Sequence, residues 1–538
     1  MHRDSALLTF SIGPVHAFIA QARRLADLWA GSYLLSHLIR QAVSELRKRG
    51  GEMVFPFLDG ERIPDGIPNR FVCRVAASAA DEIARAMEEK VREGLTTYAR
   101  GAAMRVQSHF PLESIWSEEE GTRQTDHLLD IAWSWVPEGE SYAEAALAGA
   151  RQFEAARRFR PFRQTPQLGE KCAICGERTA LPDGHRDRVR AAWKRASEAS
   201  EGTELERFLR VDQTRLCLVC LTKRLFPVFE KKESNFEALD RFQPHNEAPY
   251  LALVKMDGDR MGRILGLGPE AVLGGDLERF HREVSRVLTA LAMGLRLEGS
   301  PDLNLAKLGG YVPQGKEPQL LYAGGDDVLF VCDPRDALPL VERLREHYLK
   351  EFSEIQERVV EDGVRFTVSA AVLFAHPAHP AGLLLHDVEE LLDDVAKERA
   401  GRNAIAIRLA KRSGPPVEVA FKWDEPATPR DPESPAKSWS VALGELIQEV
   451  RDGGLSSGQT FNLRLEEKTL QKVFGSRADL WEPWLADRLS RNESVKGGAE
   501  ILAREIVPFF VHGRFEALRI ARFLGREVYR GQPVEERT

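Results

Sequence analysis

The run Leu321-Tyr322-Ala323-Gly324-Gly325-Asp326-Asp327-Val328-Leu329-Phe330 sets two glycines and two carboxylates between apolar flanks, which is how a hairpin turn is written. Gly324 and Gly325 let a backbone come close to a phosphate, and adjacent carboxylates at a turn can hold hard cations. Acid-rich turns also occur for purely structural reasons. A second acidic element, Lys255-Met256-Asp257-Gly258-Asp259-Arg260, ends an apolar run. If that run neighbours the hairpin in one sheet, Asp257 faces Asp326 and Asp327 across the sheet end. Three carboxylates converging there are costly unless a cation compensates them. The layout suits two Mg²⁺ ions about 3.5–4 Å apart, one activating an attacking hydroxyl and one holding triphosphate oxygens. That chemistry is nucleotidyl transfer.

Cys172-Ala173-Ile174-Cys175 and Cys217-Leu218-Val219-Cys220 form a second constellation, with the two-knuckle spacing of a tetrahedral Cys₄ zinc site. Two such pairs fill the coordination shell, so the spacing predicts a structural ion. A redox reading would need a thioredoxin-like βαβ context, which the flanking sequence lacks. Cys73 and Cys332 sit in apolar strand runs and read as ordinary buried thiols.

The elements that must position these residues follow from periodicity. In a first segment, 1–150, Leu7–Ile12 reads as a strand and Gly13-Pro14 opens a long helix through Lys48. Met53–Leu58 and Arg70–Val75 read as strands and Asp81–Thr97 as a helix, the first part of a split βαβ pattern. A second segment, 151–235, carries both CxxC pairs. It holds about 19 basic against about 12 acidic residues, a local excess that fits either a nucleic-acid footprint or a solvated face. A third, 236–425, repeats the first more clearly. It has strand Tyr250–Met256, helix Leu277–Leu297, the hairpin Gln319–Ala323 and Val328–Cys332, and helix Leu338–Val359. Strand Phe366–Phe374 and helix Pro380–Ala400 follow. The last, 426–538, opens on a Pro- and charge-rich linker and continues with Leu, Trp and Phe at helical spacing, predicting a helical bundle without a catalytic signature. The fold class is therefore α+β: two ferredoxin-like βαββαβ domains, a zinc-binding insert and a C-terminal helical domain.

Composition bounds the partners. The chain has 538 residues, 43% hydrophobic and 29% charged, enough to build several cores and too ordered in pattern for wholesale disorder. With 75 basic and 82 acidic residues the net charge is −7, which excludes nucleic-acid coating by bulk charge and leaves only local patches. Six cysteines are too few for a disulfide scaffold. No signal peptide and no apolar run long enough to span a membrane is present, so the expected compartment is cytoplasmic.

Asp257, the Gly324–Asp327 turn and Ala396-Lys397-Glu398-Arg399-Ala400-Gly401-Arg402-Asn403 resemble the nucleotide-cyclase and GGDEF-type palm superfamily. The GGDD form, with a CxxC-bearing insert between two palms, is similar to the polymerase-like large subunit of type III CRISPR effector complexes. The opening Ile12-Gly13-Pro14-Val15 with Asp27-Leu28-Trp29-Ala30-Gly31-Ser32-Tyr33 narrows the resemblance to the III-B (Cmr) branch. It is strong over 8–36, 172–220 and 250–405 and weak in the tail. The resemblance implies synthesis of cyclic oligoadenylates from ATP when the complex binds target RNA. Asp257, Asp326 and Asp327 would hold Mg²⁺ or Mn²⁺, Gly324 and Gly325 would admit the triphosphate, and Lys397 would meet phosphate oxygens. Other Cmr-type subunits, CRISPR RNA and target RNA would be partners, with no membrane involved.

The first palm departs from the pattern. It has no GGDD and no acid at the end of its first strand, so by resemblance it would seat a second ATP, with Gly13, Gly31 and Ser32 nearby. Helix packing is the alternative for Gly31-Ser32. Many such proteins carry a His-Asp nuclease domain before the first palm. Here the palm begins at about residue 6 and His386-Asp387 reads as a surface pair, so DNase activity is expected to be absent. His376 and His379 read as loop residues. Two rival readings stay open: a non-catalytic nucleotide-binding scaffold, and a GGDEF-type dinucleotide cyclase, which would use Glu after the first Asp and pair two single-palm chains.

Overall fold

The structure is a computed structural model describing residues 4–109, 118–126, 128–159, 168–182, 184–209, 215–240, 242, 250–297, 300–427, 438–453, 455–491, 495 and 498–528. The described residues are mixed α+β and form two sheets. The first contains β1 (Ser5–Gly13), β2 (Glu52–Phe55), β3 (Arg70–Ala76) and β4 (Asp130–Pro137) in the order β2-β3-β1-β4. The second contains β5 (Leu251–Gly258), β6 (Gln319–Gly324), β7 (Asp327–Cys332), β8 (Val368–Ala375), β9 (Ala404–Ala410) and β10 (Val417–Lys422) in the order β10-β9-β8-β5-β7-β6. The linker read between the second sheet and the tail falls largely on 428–437, outside the described residues. From Trp439 onward the described elements are helical. No helix among the described residues is long and apolar enough to cross a membrane.

β1 and β5 are near-continuous apolar runs because both of their faces are covered. On β5 the alternation decides what meets what. Ala252, Val254 and Met256 pack into the core shared with helices Leu277–Gly294 and Ala337–Gln356. Leu251 and Leu253 pack on the other face, into a core continuous with helix Ala381–Glu390 and the first sheet's helices. Lys255 and Asp257 share that second face by the period of two. β7 pairs antiparallel with β5, Met256 opposite Val328, and with β6, Gly324 opposite Asp327.

Several elements differ from the periodicity reading. The long first helix breaks into His16–Ala20 and Leu25–Lys48. Asp27 caps the second piece by accepting from the amides of Arg23 and Arg24, each at 3.2 Å. The Nζ of Lys223, from helix Leu218–Phe229, donates to the carbonyls of Phe18 at 2.7 Å and Gln21 at 2.6 Å, which satisfies the open end of the first piece. β2 stops at Phe55, before Pro56, which has no N–H for a ladder. β4, β9 and β10 are additional strands, β9 running parallel to β8. Helix Ala381–Glu390 continues as a π-helical segment, Leu391–Arg399.

Helix Leu218–Phe229 is fastened to helix Leu25–Lys48, beside the first sheet, by a fully buried ion pair. Arg224 donates to both carboxylate oxygens of Asp27, at 2.9 and 2.7 Å. Burial acts to raise the Asp27 pKa, but Arg224 outweighs it and holds the group at about 2. The contribution is therefore present above the ordinary carboxyl range and is lost as pH falls from about 4 through about 2. Asp27→Ala leaves Arg224 uncompensated, and a loss of about 3–5 kcal/mol of unfolding free energy at neutral pH is expected in chemical denaturation. A loss below 1 kcal/mol would contradict the account.

Candidate active site

The two acidic elements meet where the antiparallel register places them. β5 ends at Gly258 beside the start of β7, and β8 begins on its other side, Asp257 opposite Ser369. Gly258 is buried against the hairpin, where a Cβ would lie 2.8 Å from both Cβ and Oδ2 of Asp326 and 2.9 Å from the Tyr348 hydroxyl. Gly325 turns the hairpin with φ +66°, a conformation glycine adopts without strain. A Cβ on Gly324 or Gly325 would meet nothing within 4 Å, so the turn backbone stands open.

The carboxylates are only partly compensated by the protein. Lys397 reaches from the end of the π-helical segment to Asp257 Oδ2 at 2.6 Å and to Asp393 at 2.8 Å. Burial works against the Lys397 charge and Asp257 outweighs it, so its pKa is raised. Lys397 thus touches Asp257, the contact by which it joins the acidic cluster. Burial, then the charge of Asp327, raises Asp257 to about 6. Burial, then the charge of Asp257, raises Asp326 to about 8. Asp327 accepts through Oδ2 from the Tyr322 hydroxyl at 2.8 Å, while its Oδ1 is buried without a hydrogen-bond partner among the described residues. Hard oxygen donors, mutual repulsion and an orphaned carboxylate oxygen are what a divalent-cation site requires, so the residues fit such ions.

The raised Asp326 pKa has a measurable consequence in the metal-free chain. Its folded form holds the proton more tightly than the unfolded form, so the stability it contributes is full below about pH 4 and is lost as pH rises through about 8. Asp326→Asn cannot ionise. It is expected to melt about 3 °C or more above the unsubstituted chain near pH 9 and alike near pH 4 in scanning fluorimetry. Equal melting at both pH values would contradict the electrostatic account.

Asp259, the second acid of the Asp-Gly-Asp run, braces the loop ends. It is buried and accepts from Thr367 Oγ1 at 2.8 Å, Ser369 Oγ at 2.7 Å and the Asn403 amide at 2.8 Å. Beside it lies a cavity of about 190 Å³ lined in part by Arg260, Arg263, Arg365 and Arg402. Arg263 is paired with Glu361 and Arg402 with Glu398. This basic cavity escapes a motif search because its four arginines come from three separate segments, around 260–263, 365 and 402, and converge only in the fold.

The N-terminal part of the chain touches the hairpin through the loop after β2. A Cβ on Gly66 would lie 2.6 Å from the Ala323 carbonyl, and Pro64, Ile67 and Pro68 line a narrow cleft with Gly325 and Thr289. Gly31 is buried where Lys223 crosses its helix, a Cβ there falling 2.7 Å from Lys223 Cε. Ser32 is half-buried one position on, and Gly13 sits at the end of β1 opposite Asp130.

Cys172, Cys175, Cys217 and Cys220 bring their sulfurs within 4.8 Å of one another, Cys175 to Cys217 at 3.9 Å. A tetrahedral site with Zn–S near 2.3 Å has sulfur–sulfur edges of about 3.8 Å, so the cluster fits a metal ion. Cys217 also caps helix Leu218–Phe229, its sulfur accepting from the Cys220 amide at 3.4 Å.

A family model described as Cas10/Cmr2, second palm domain, matches residues 250–406, and one described as CRISPR-associated protein Cmr2, N-terminal, matches residues 7–100. The chain is 22% identical over 575 residues to the CRISPR system Cmr subunit Cmr2 of Pyrococcus furiosus, covering 77% of this chain and 62% of that protein. It therefore spans less than two thirds of the curated relative it matches. Its fold is similar to a chain of the type III-B Cmr-beta cryo-EM structure in the apo state. The TM-score there is 0.60 at 14% identity, covering 95% of this chain and 82% of that one. For Cmr-beta bound to cognate target RNA, the TM-score is 0.59 at 13% identity, covering 91% and 78%. The matched segments are those that carry β1 with its helix and the Asp257 strand end with its hairpin, so parts of both sheets are similar to Cas10/Cmr2 proteins.

Proposed function

We propose that this chain is the polymerase-like large subunit of an RNA-guided type III-B effector complex, and that its second palm joins ATP into cyclic oligoadenylates. The observation that carries the reading is the convergence of Asp257, Asp326 and Asp327 at one end of the sheet, with Asp327 Oδ1 bare. The strand orders β2-β3-β1-β4 and β6-β7-β5-β8 correspond element by element, which supports two ferredoxin-like palms related as an internal repeat. The chain would divide as 1–150, 151–235, 236–425 and 426–538.

In the reaction the 3′-hydroxyl of one ATP attacks the α-phosphate of another, and pyrophosphate leaves. Mg²⁺ or Mn²⁺, when bound, would acidify the attacking hydroxyl and neutralise charge on the phosphates. Asp257, Asp326 and Asp327 would hold these ions. The open backbone at Gly324 and Gly325 gives phosphate oxygens close approach. Lys397, within reach of Asp257, supplies a point charge beside the same oxygens, and the arginine-lined cavity behind Asp259 extends the positive surface. The loop 56–68 of the first palm closes the hairpin's other side, where a second nucleotide would sit. The four cysteines would hold one structural Zn²⁺, with no open position for chemistry.

The test is an assembled complex with CRISPR RNA, matching target RNA, ATP and Mg²⁺ or Mn²⁺, its products separated by chromatography. Cyclic oligoadenylates dependent on target RNA are expected. An ATP-binding complex that yields none would support a nucleotide-binding scaffold instead.

A further inference from the structure

We infer that Lys255 is a positioning residue for Asp327, and that through Glu389 it ties the acidic edge of the second palm to helix His16–Ala20 of the first. The inference rests on the reading of Asp257, Asp326 and Asp327 as a divalent-cation site.

Lys255 is 8% exposed and lies two residues before Asp257 on the same face of β5. Its Nζ donates to the Tyr322 hydroxyl at 2.6 Å and to Glu389 Oε1 at 3.1 Å, and it lies 3.3 Å from Asp327 Oδ2. The Tyr322 hydroxyl donates to the same Oδ2. One oxygen of Asp327 is thus held by two groups while Oδ1 stays bare, which presets the carboxylate as a ligand instead of leaving it free to rotate.

Glu389 works at both ends. Its Oε1 accepts from Lys255, and its Oε2 pairs with His16 Nε2 of the first palm. The segment that carries His16 is itself fixed. Lys223 satisfies its carbonyls, and the amides of Ala381 and Gly382 donate to Arg23 and Ala22 carbonyls at 3.1 and 3.0 Å. An unbroken set of polar contacts therefore runs from His16 through Glu389 and Lys255 to Asp327.

A lysine that is only a counter-charge makes the opposite prediction. Deleting a positive charge beside a ligand would tighten cation binding, whereas deleting a positioning group weakens it. The test titrates the full-length chain with Mn²⁺ alone, followed by electron paramagnetic resonance. Lys255→Met is expected to weaken Mn²⁺ binding about 10-fold or more, and Lys255→Arg to restore most of it. His16→Ala is expected to weaken binding about 3-fold alone and to add nothing to Lys255→Met, because it acts through the same contact. If Lys255→Met melts too low to titrate, Lys255→Met/Glu389→Gln removes the stranded acid and is judged by the same criterion. Unchanged or tighter binding in these variants overturns the positioning role, and additive effects of His16→Ala overturn the link to the first palm. Asp327→Asn separates the two levels. If it binds Mn²⁺ as tightly as the unsubstituted chain, the metal-site reading itself fails and this inference falls with it.

Discussion

Asp326→Asn/Asp327→Asn is expected to abolish nucleotidyl transfer in the assembled complex, by on the order of 10³-fold or more. Each decade of rate is about 1.4 kcal/mol of barrier, so the variant is asked to forfeit about 4 kcal/mol of charge stabilisation, a modest demand on a metal site. The substitution is nearly isosteric, and both side chains lie at a turn, so the palm should keep its fold. Asp327→Asn alone keeps one oxygen for Tyr322 and presents an amide where Oδ1 stood bare. Binding of CRISPR RNA and target RNA should be unchanged, because these side chains lie at the sheet end among one another. Product formation by the double variant at the rate of the unsubstituted complex would contradict the assignment.

Removing zinc should have the largest effect on stability. The cysteine cluster sits at the start of helix Leu218–Phe229, whose Lys223 and Arg224 hold the break after Ala20 and Asp27. Loss of the ion therefore loosens a helix that shares the core of the first sheet, beyond a surface loop. Metal analysis is expected to find about one zinc per chain, as the closed four-cysteine shell requires. Cys217→Ser or strong chelation is expected to cost on the order of 5 kcal/mol, well inside the 10–16 kcal/mol range of structural zinc sites. At the size of these domains that lowers Tm by on the order of 10 °C. A chelated chain with an unchanged melting curve, or one that never contained zinc, would contradict the structural role.

What was legible in the sequence follows the range of the interactions. The GGDD hairpin, its neighbouring strand and the paired CxxC motifs are local patterns, and the pairing of β5 with β7 brings the end of β5 beside the hairpin, as expected of a first strand adjacent to it in one sheet. The groups that tune those acids are not local. Lys255 reads as a strand-end lysine, and only the fold sets it between Tyr322 and Glu389, 67 and 134 residues away. Asp259 looks like a further acid of the site, yet its partners Thr367, Ser369 and Asn403 make it a brace. The break after Ala20 has no glycine or proline to announce it, because the group that stabilises it is Lys223, about 200 residues on. β9, Ala404-Ile405-Ala406-Ile407, alternates weakly because alanine has little strand preference, and pairing with β8 supplies what propensity lacks. Gly31 drew attention as a nucleotide contact by resemblance, while its tight approach to Lys223 is a packing requirement.

The most direct test is a structure of the complex with a non-hydrolysable ATP analogue and Mn²⁺, with the metal located by anomalous scattering. The account predicts manganese on Asp257, Asp326 and Asp327 and triphosphate oxygens against the Gly324–Gly325 backbone. Nucleotide bound elsewhere, with no metal on these three carboxylates, would contradict it.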